Sequence, residues 1–289
     1  MTTTVEKTTA TSGAAPVRKK KTKRFSPWAV VAWLVGIGFF FPVFWMVLTS
    51  FKQESAAATN PPTLFFTPTL DQYSAVFAQG IGPAMLNSLF ATGMSTILVL
   101  LLGVPAAFAL SLRPVGKTSD ALFFFMSTKM LPVVAAILPL YVIVSNVGLL
   151  DNIWALVILY TSMNLPIAVW MMRSFLSEVP VEMLEAASVD GAGLSRTLRS
   201  VIAPVVMPGI AATALICFIF SWNELLFARV LTATVAETAP VFLTSFVTSQ
   251  GLFLAQLCAA AFVVSLPVLV AGFAAQDKLV QGLSLGSVK

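Results

Sequence analysis

Six runs of apolar residues leave this chain few ways to fold: Trp28 to Ser50, Ala84 to Leu110, Ala121 to Ser145, Asn152 to Met172, Pro204 to Phe227 and Leu254 to Gln276. A helix needs about 20 such residues to cross roughly 30 Å of hydrocarbon. In lipid, only helices and closed barrels satisfy all their own backbone groups. A barrel strand would alternate in polarity over about 10 residues, whereas these runs are longer and continuous. The expected class is therefore all-α integral membrane, with six transmembrane helices in a domain over residues 28–280. Composition agrees, because 58% of the 289 residues are hydrophobic and 10% are charged, against roughly 25% charged in a soluble domain.

The first 27 residues are rich in Thr, Ala, Ser and Lys and end in the basic run Arg18 to Arg24. They lack the apolar periodicity needed to bury a core and read as a disordered cytoplasmic tail. Trp28 to Ser50 is a full span with no small-residue cleavage site, so it reads as a retained helix rather than a signal peptide. With both termini inside, 14 of the 17 Lys and Arg residues fall on the cytoplasmic side, the bias expected of a multi-pass membrane protein. The net charge of +5 follows from that topology. Nucleic acid is a poor partner, since no folded soluble surface exists to carry a basic patch.

Several chemistries lack material. There is no His, and Cys217 and Cys258 are the only cysteines, both inside apolar runs where they read as small packing residues. No metal site and no catalytic residue is expected. Gly116-Lys117-Thr118 ends like a phosphate-binding loop, but Ser111 stands where its first glycine belongs, and the stretch follows a membrane helix instead of a strand. No nucleotide site, and hence no cofactor bound by this chain, is expected.

Residues 174–203 form the largest charged internal loop. Pro180 suits the first turn of a helix, Glu182 and Glu185 are favoured near its start by the helix dipole, and Gly191 or Gly193 can take the left-handed conformation that ends it. A second short helix then carries Arg196 and Arg199 to Pro204. Small side chains at Ala186 and Ala187 would let a partner approach, and Glu185 and Asp190 add charge. Residue chemistry alone leaves a docking element and a solvated amphipathic loop evenly matched. Residues 51–83, with Pro61, Pro62, Pro68 and Pro83, read as an ordered, irregular external loop.

Polar groups inside the runs are candidates for a solute path. Lys129 lies roughly 13 Å into the third run at 1.5 Å per residue. Such a charge must face water or a partner, so it either lines a path or snorkels to the interface. Asn87, Asn164, Asn223 and Glu224, with the aromatic face of Trp222, could serve the same path or act as interhelical hydrogen-bonding groups.

Glu185-Ala-Ala187, Gly191 and Pro204 match the spaced motif in the cytoplasmic loop of binding-protein-dependent ABC importer permeases; Val201 and Ala203 replace its Ile and Leu. Phe41 to Lys52, Asn87-Ser-Leu89, Leu149-Leu-Asp151, Asn164-Leu-Pro166, Ser221-Trp-Asn-Glu224 and Gln281 to Lys289 extend the resemblance to the second permease subunit of carbohydrate importers of the maltose and polyol type. The resemblance implies a type I (MetI-like) fold with a cytoplasmic coupling helix and a sister permease subunit. It also implies an ATPase dimer carrying ATP-Mg, an extracytoplasmic solute-binding protein, and placement in the cell membrane. In that family the loop corresponding to residues 229–253 reaches toward the binding protein, which puts Thr244 and Phe246 at the contact. The C-terminal tail, 281–289, enters the ATPase interface. An ion-coupled secondary transporter is the competing expectation, weakened by the lack of a carboxylate at the centre of any run. An intramembrane enzyme would need a His, a metal cluster or paired acids.

Overall fold

The computed structural model describes residues 27–112, 116–130, 132–248 and 251–285. The basic segment of the N-terminal tail and residues 286–289 lie outside them. The chain divides into two compact units, one ending at Phe44 and the other running from Trp45. The first contributes most of α1 (Pro27–Ser50), which is apolar all round, as a membrane helix must be.

In the second unit α2 (Glu54–Ala57) and α3 (Asp71–Ala78) precede the long α4 (Ile81–Ser111). Gly80, at φ +98°, makes the turn between α3 and α4, a backbone conformation open to glycine because it has no Cβ. Then come α5 (Thr118–Met130), α6 (Val133–Asn146) and α7 (Ile153–Leu176). The Asn152 side chain accepts from Trp154 N at 3.0 Å and starts α7, the usual role of an N-cap.

A loop follows with α8 (Val181–Val189), α9 (Leu194–Arg196), a π-helical turn (Thr197–Ile202) and α10 (Ala203–Val205). After it come α11 (Met207–Trp222), α12 (Leu226–Leu231) and α13 (Ala239–Leu243), a 3₁₀ turn (Thr244–Phe246), a two-residue antiparallel ladder of β1 (Val247–Thr248) and β2 (Gly251–Leu252), and α14 (Leu254–Leu285).

Among the described residues, four helices are long and apolar enough to cross a membrane, and α5 with α6 and α9–α10 with α11 bring the count to six if each broken pair is one span. Two expected spans are thus not single helices. The third run is described as two helices, α5 ending at Met130 and α6 beginning after Pro132, which caps it. The fifth bends by 83° at Val206, so Pro204 sits inside a helical turn instead of stopping one. A third difference lies at the C-terminal end, where α14 continues through Gln281–Leu285, residues expected in the terminal tail.

Helices α4 and α7 pack against each other most extensively, with α11 laid against both and α14 against α11. Small residues permit this approach: a Cβ on Gly103 would lie 3.3 Å from Ala168 Cβ, the close packing on which membrane helices rely. Apolar clusters fill the two ends. Val76, Ile81, Trp222, Phe242 and Phe246 gather where α4 begins, and Phe108, Met172, Leu176, Ile202 and Val206 where it ends.

Candidate functional site

The charged loop folds as its residues dictate. Pro180 caps α8, Glu182 lies in its first turn, and Gly191 closes it at φ +70°, with Ala192 N donating to Ala187 O at 2.9 Å. Of the two glycines, Gly191 supplies the left-handed residue, while Gly193 has φ −68°. Glu182, Glu185, Ala186 and Asp190 are exposed, together with Val181 at 58% and Val189 at 88%. Ala187, expected on the same surface, is buried, because α8 needs one inward face to sit on the protein. An acidic helix with two bare valines is thus presented on the far side.

At the other end of α11, the helix stops at Trp222 and the chain turns through Asn223, Glu224 and Leu225 into α12. Trp222 is fixed from two sides: its indole Nε1 donates to Val264 O at 3.2 Å, and its ring stacks on Phe218 at 5.8 Å. It is 2% exposed and so packs the core instead of lining a path. The Glu224 carboxylate accepts from Phe227 N at 3.0 and 3.1 Å and from Ala228 N at 3.3 Å, capping α12.

Asn164, another path candidate, is fully buried; its amide donates to Tyr160 O at 3.0 Å and to Ser221 Oγ at 2.9 Å. With Ser95, 3.3 Å from Ser221, it joins α4, α7 and α11 across the interior. Such polar groups are drawn inward because lipid offers them no partner.

The remaining candidates, Lys129, Asn223 and Glu224, converge beside Phe220. Lys129, Phe220, Asn223 and Glu224, with Met163, Ile219, Leu225 and Leu226, line one open cleft of about 580 Å³. The Lys129 ammonium stands 5.7 Å above the Phe220 ring. A second cleft of about 640 Å³ shares Asn223 and Leu225 and adds Arg229, Pro240, Leu243, Thr244 and Val247. The turn after α11 is therefore the partition between two adjoining spaces.

The loop after α12 is held from three directions. The Asp151 carboxylate accepts from the N–H groups of Ala233 (2.9 Å), Thr234 (3.2 Å), Val235 (3.1 Å) and Ala236 (3.0 Å). Partial desolvation pushes this carboxyl up, but the four backbone donors outweigh it and hold it well below the usual carboxylate range. Asn87 does not face a path: its amide donates at 2.9 Å to the carbonyls of both Val235 and Glu237, and Ser88 accepts from Ala239 N at 2.8 Å. Phe246 is 2% exposed, 5.5 Å from Phe242, because the 3₁₀ turn folds its ring into the core; it offers no surface to a partner. Thr244 lines the second cleft.

Sequence reasoning missed two anchors. Asp151 carried a signal in its turn setting, with Gly148 just ahead of the Leu149-Leu-Asp151 motif, but its ligands lie some 80 residues downstream. Lys52 is a charged residue just past an apolar run, yet it is 1% exposed: its ammonium donates to Thr63 O at 2.6 Å and stands 4.5 Å over Trp45 and 5.3 Å over Phe66. The nearby aromatic residues Trp45, Phe65 and Phe66 were the only hint of this cation–π cage.

Residues 99–284 match the family described as binding-protein-dependent transport system inner membrane component. The probable ABC transporter permease protein y4oR of Sinorhizobium fredii is 37% identical over 263 residues, covering 91% of this chain and 93% of that one. The trehalose transport system permease protein SugB of Mycobacterium tuberculosis is 32% identical over 272 residues, covering 92% and 98%. The fold is shared with a chain in the crystal structure of a bacterial ABC transporter involved in import of the acidic polysaccharide alginate, with TM-score 0.72, 21% identity and coverage of 89% and 100%. The chain therefore belongs to the binding-protein-dependent transport system inner membrane components, the permease subunits of ABC transporters.

Proposed function

We propose that this permease subunit forms half of the path by which a carbohydrate enters the cell, together with a second permease subunit. A dimeric ATPase on the cytoplasmic face hydrolyses ATP-Mg, and an extracytoplasmic binding protein delivers the solute. The similarity to a trehalose permease supports the carbohydrate class, and the Lys and Arg distribution supports both termini lying in the cytoplasm. The α8 face of Glu182, Glu185, Ala186 and Asp190, closed by Gly191, docks the ATPase. Thr244 and the exposed Val247 beside the second cleft meet the binding protein, in place of the buried Phe246. The C-terminal tail of the family, here 281–289, is the segment that meets the ATPase pair.

One observation carries this reading: α8 leaves an acidic, valine-bearing face uncovered at the end of α7 and the start of α11, and α11 runs from there to the partition between the two clefts. A push on α8 thus has a rigid route to the solute space. Gly191→Pro forces φ to about −65° where +70° is needed, and Glu185→Lys reverses the exposed charge. Both variants should insert and assemble, yet lose most binding-protein-stimulated ATPase activity and transport in proteoliposomes. Parental transport with normal assembly would overturn the docking assignment.

A further inference from the structure

We infer that this subunit itself contacts the carried molecule, through a subsite formed by Lys129, Phe220 and Asn223 and positioned by Glu224, and that the molecule is a neutral, polyhydroxylated sugar or sugar alcohol. The inference rests on the carbohydrate-permease reading and narrows it.

The chemistry is complementary group by group. Phe220 is 44% exposed and lines the cleft, offering a flat apolar face to the C–H side of a sugar. Glu224 is engaged by the N–H groups of Phe227 and Ala228 and so holds the turn that carries Asn223, while the Lys129 ammonium sits over the Phe220 ring and presents up to three donors. Asn223 places one amide hydrogen on Ile219 O at 2.8 Å, which leaves a second hydrogen and a carbonyl oxygen for a hydroxyl. Vicinal hydroxyls both donate and accept, the capacity this mixed set offers.

Charge and size narrow the class. Lys129 and Glu224 bring one formal charge of each sign to the cleft, so its lining has no formal net charge to select an acid. About 580 Å³ falls among small-molecule pockets of roughly 300–1,000 Å³ and has room for a sugar unit. Asn223 and Leu225 border the second cleft as well, so a solute entering past Thr244 and Arg229 meets the subsite next.

The test uses the complete importer with its own binding protein in proteoliposomes, measuring uptake of labelled mannitol, trehalose and glucuronate. The parental complex should carry a neutral probe and prefer it to glucuronate. Lys129→Met should cut that uptake about 10-fold or more, the scale of one charge-assisted hydrogen bond, Phe220→Ala should lower it as well, and each should change the ratio between the two neutral probes. Lys129→Arg should recover part of the rate. Unchanged ratios in Phe220→Ala and Lys129→Met would overturn the subsite while leaving the permease reading intact. Glucuronate preferred by the parental complex would overturn the neutral class. An assembled complex that carried an amino acid but no carbohydrate would overturn both the subsite and the carbohydrate reading.

Discussion

The loops around Asp151 and those around Glu185 sit at opposite ends of α7 and are held in different ways. At the first end, side chains reach backbone groups far away in sequence: Asp151 binds Ala233, 82 residues on, and Glu54 caps α14 by accepting from Ala255 N at 3.0 Å and from Gln256 N, 202 residues on. At the second end the loop rests on apolar contacts through Leu176, Val179, Ile202 and Val206, with Met183, Leu184 and Leu198 packed around them. Directional hydrogen bonds fix one geometry, whereas dispersion contacts are non-directional and close-packed. The first end is thus built to keep its shape, and the second to hold a surface that a partner can load.

The largest effect should come from crowding the packed end. A Cβ on Gly209 would overlap Phe175 Cγ and lie 2.8 Å from Phe175 Cβ, so the start of α11 touches the end of α7 with no spare room. Gly209→Val should destabilise the protein by about 3 kcal/mol, the upper end for overpacking, seen as a lower Tm of the purified complex. Phe175→Ala in the same chain should restore part of the loss; no recovery would place the strain elsewhere.

Asp151→Ala tests the bonded end and should cost about 2 kcal/mol locally, because several N–H groups lose one charged acceptor. Hydrogen exchange at residues 233–236 should accelerate roughly 30-fold, with little change at 181–190. The pH dependence has a definite sign. The folded carboxyl is held below its ordinary value, so its stabilisation is complete above the unfolded pKa of about 3.9 and is lost as pH falls from there toward the folded value. Protection at 233–236 should be flat from neutral pH down to about pH 5 and fall below it; loss between about pH 7 and 6 would assign the anchor to another group.

The contrast between the ends also explains what the sequence disclosed. Spans were legible because hydrocarbon demands long apolar runs, and the α8 turn because Pro180 and Gly191 act locally. What stayed hidden was which face turns inward. A membrane helix is apolar all round, so Asn164 and Trp222 read as path residues although both are buried, and Ala187 could not be told from Ala186. Long-range anchors leave no local trace either: nothing near Asp151 announces Ala233, and the burial of Phe246 depends on Val76 and Trp222, which come from elsewhere in the chain.

Lys52→Met should cost about 1–2 kcal/mol, less than Asp151→Ala. The methionine keeps the apolar stem but abandons Thr63 O and the two aromatic faces. Its effect should appear as faster exchange in residues 63–73 and not around Ala233. Should the Lys52→Met variant match the parent, the charge contributes nothing and the site is simply a packed stem.

Asn87→Ala should be the mildest, about 1 kcal/mol, although Asn87 makes two hydrogen bonds. Its acceptors, the carbonyls of Val235 and Glu237, lie partly in reach of solvent, so water can replace the lost amide, whereas Asp151 supplies a charge to donors converging on one point. Asn87→Asp should be worse than Asn87→Ala, because a carboxylate would face two carbonyl oxygens with no hydrogen to offer. Exchange at 235–239 in the two variants measures the difference. If Asn87→Ala instead opened residues 233–236 as widely as Asp151→Ala, the amide and the carboxylate would be one cooperative latch, and the rigidity of this end would depend on both being present at once.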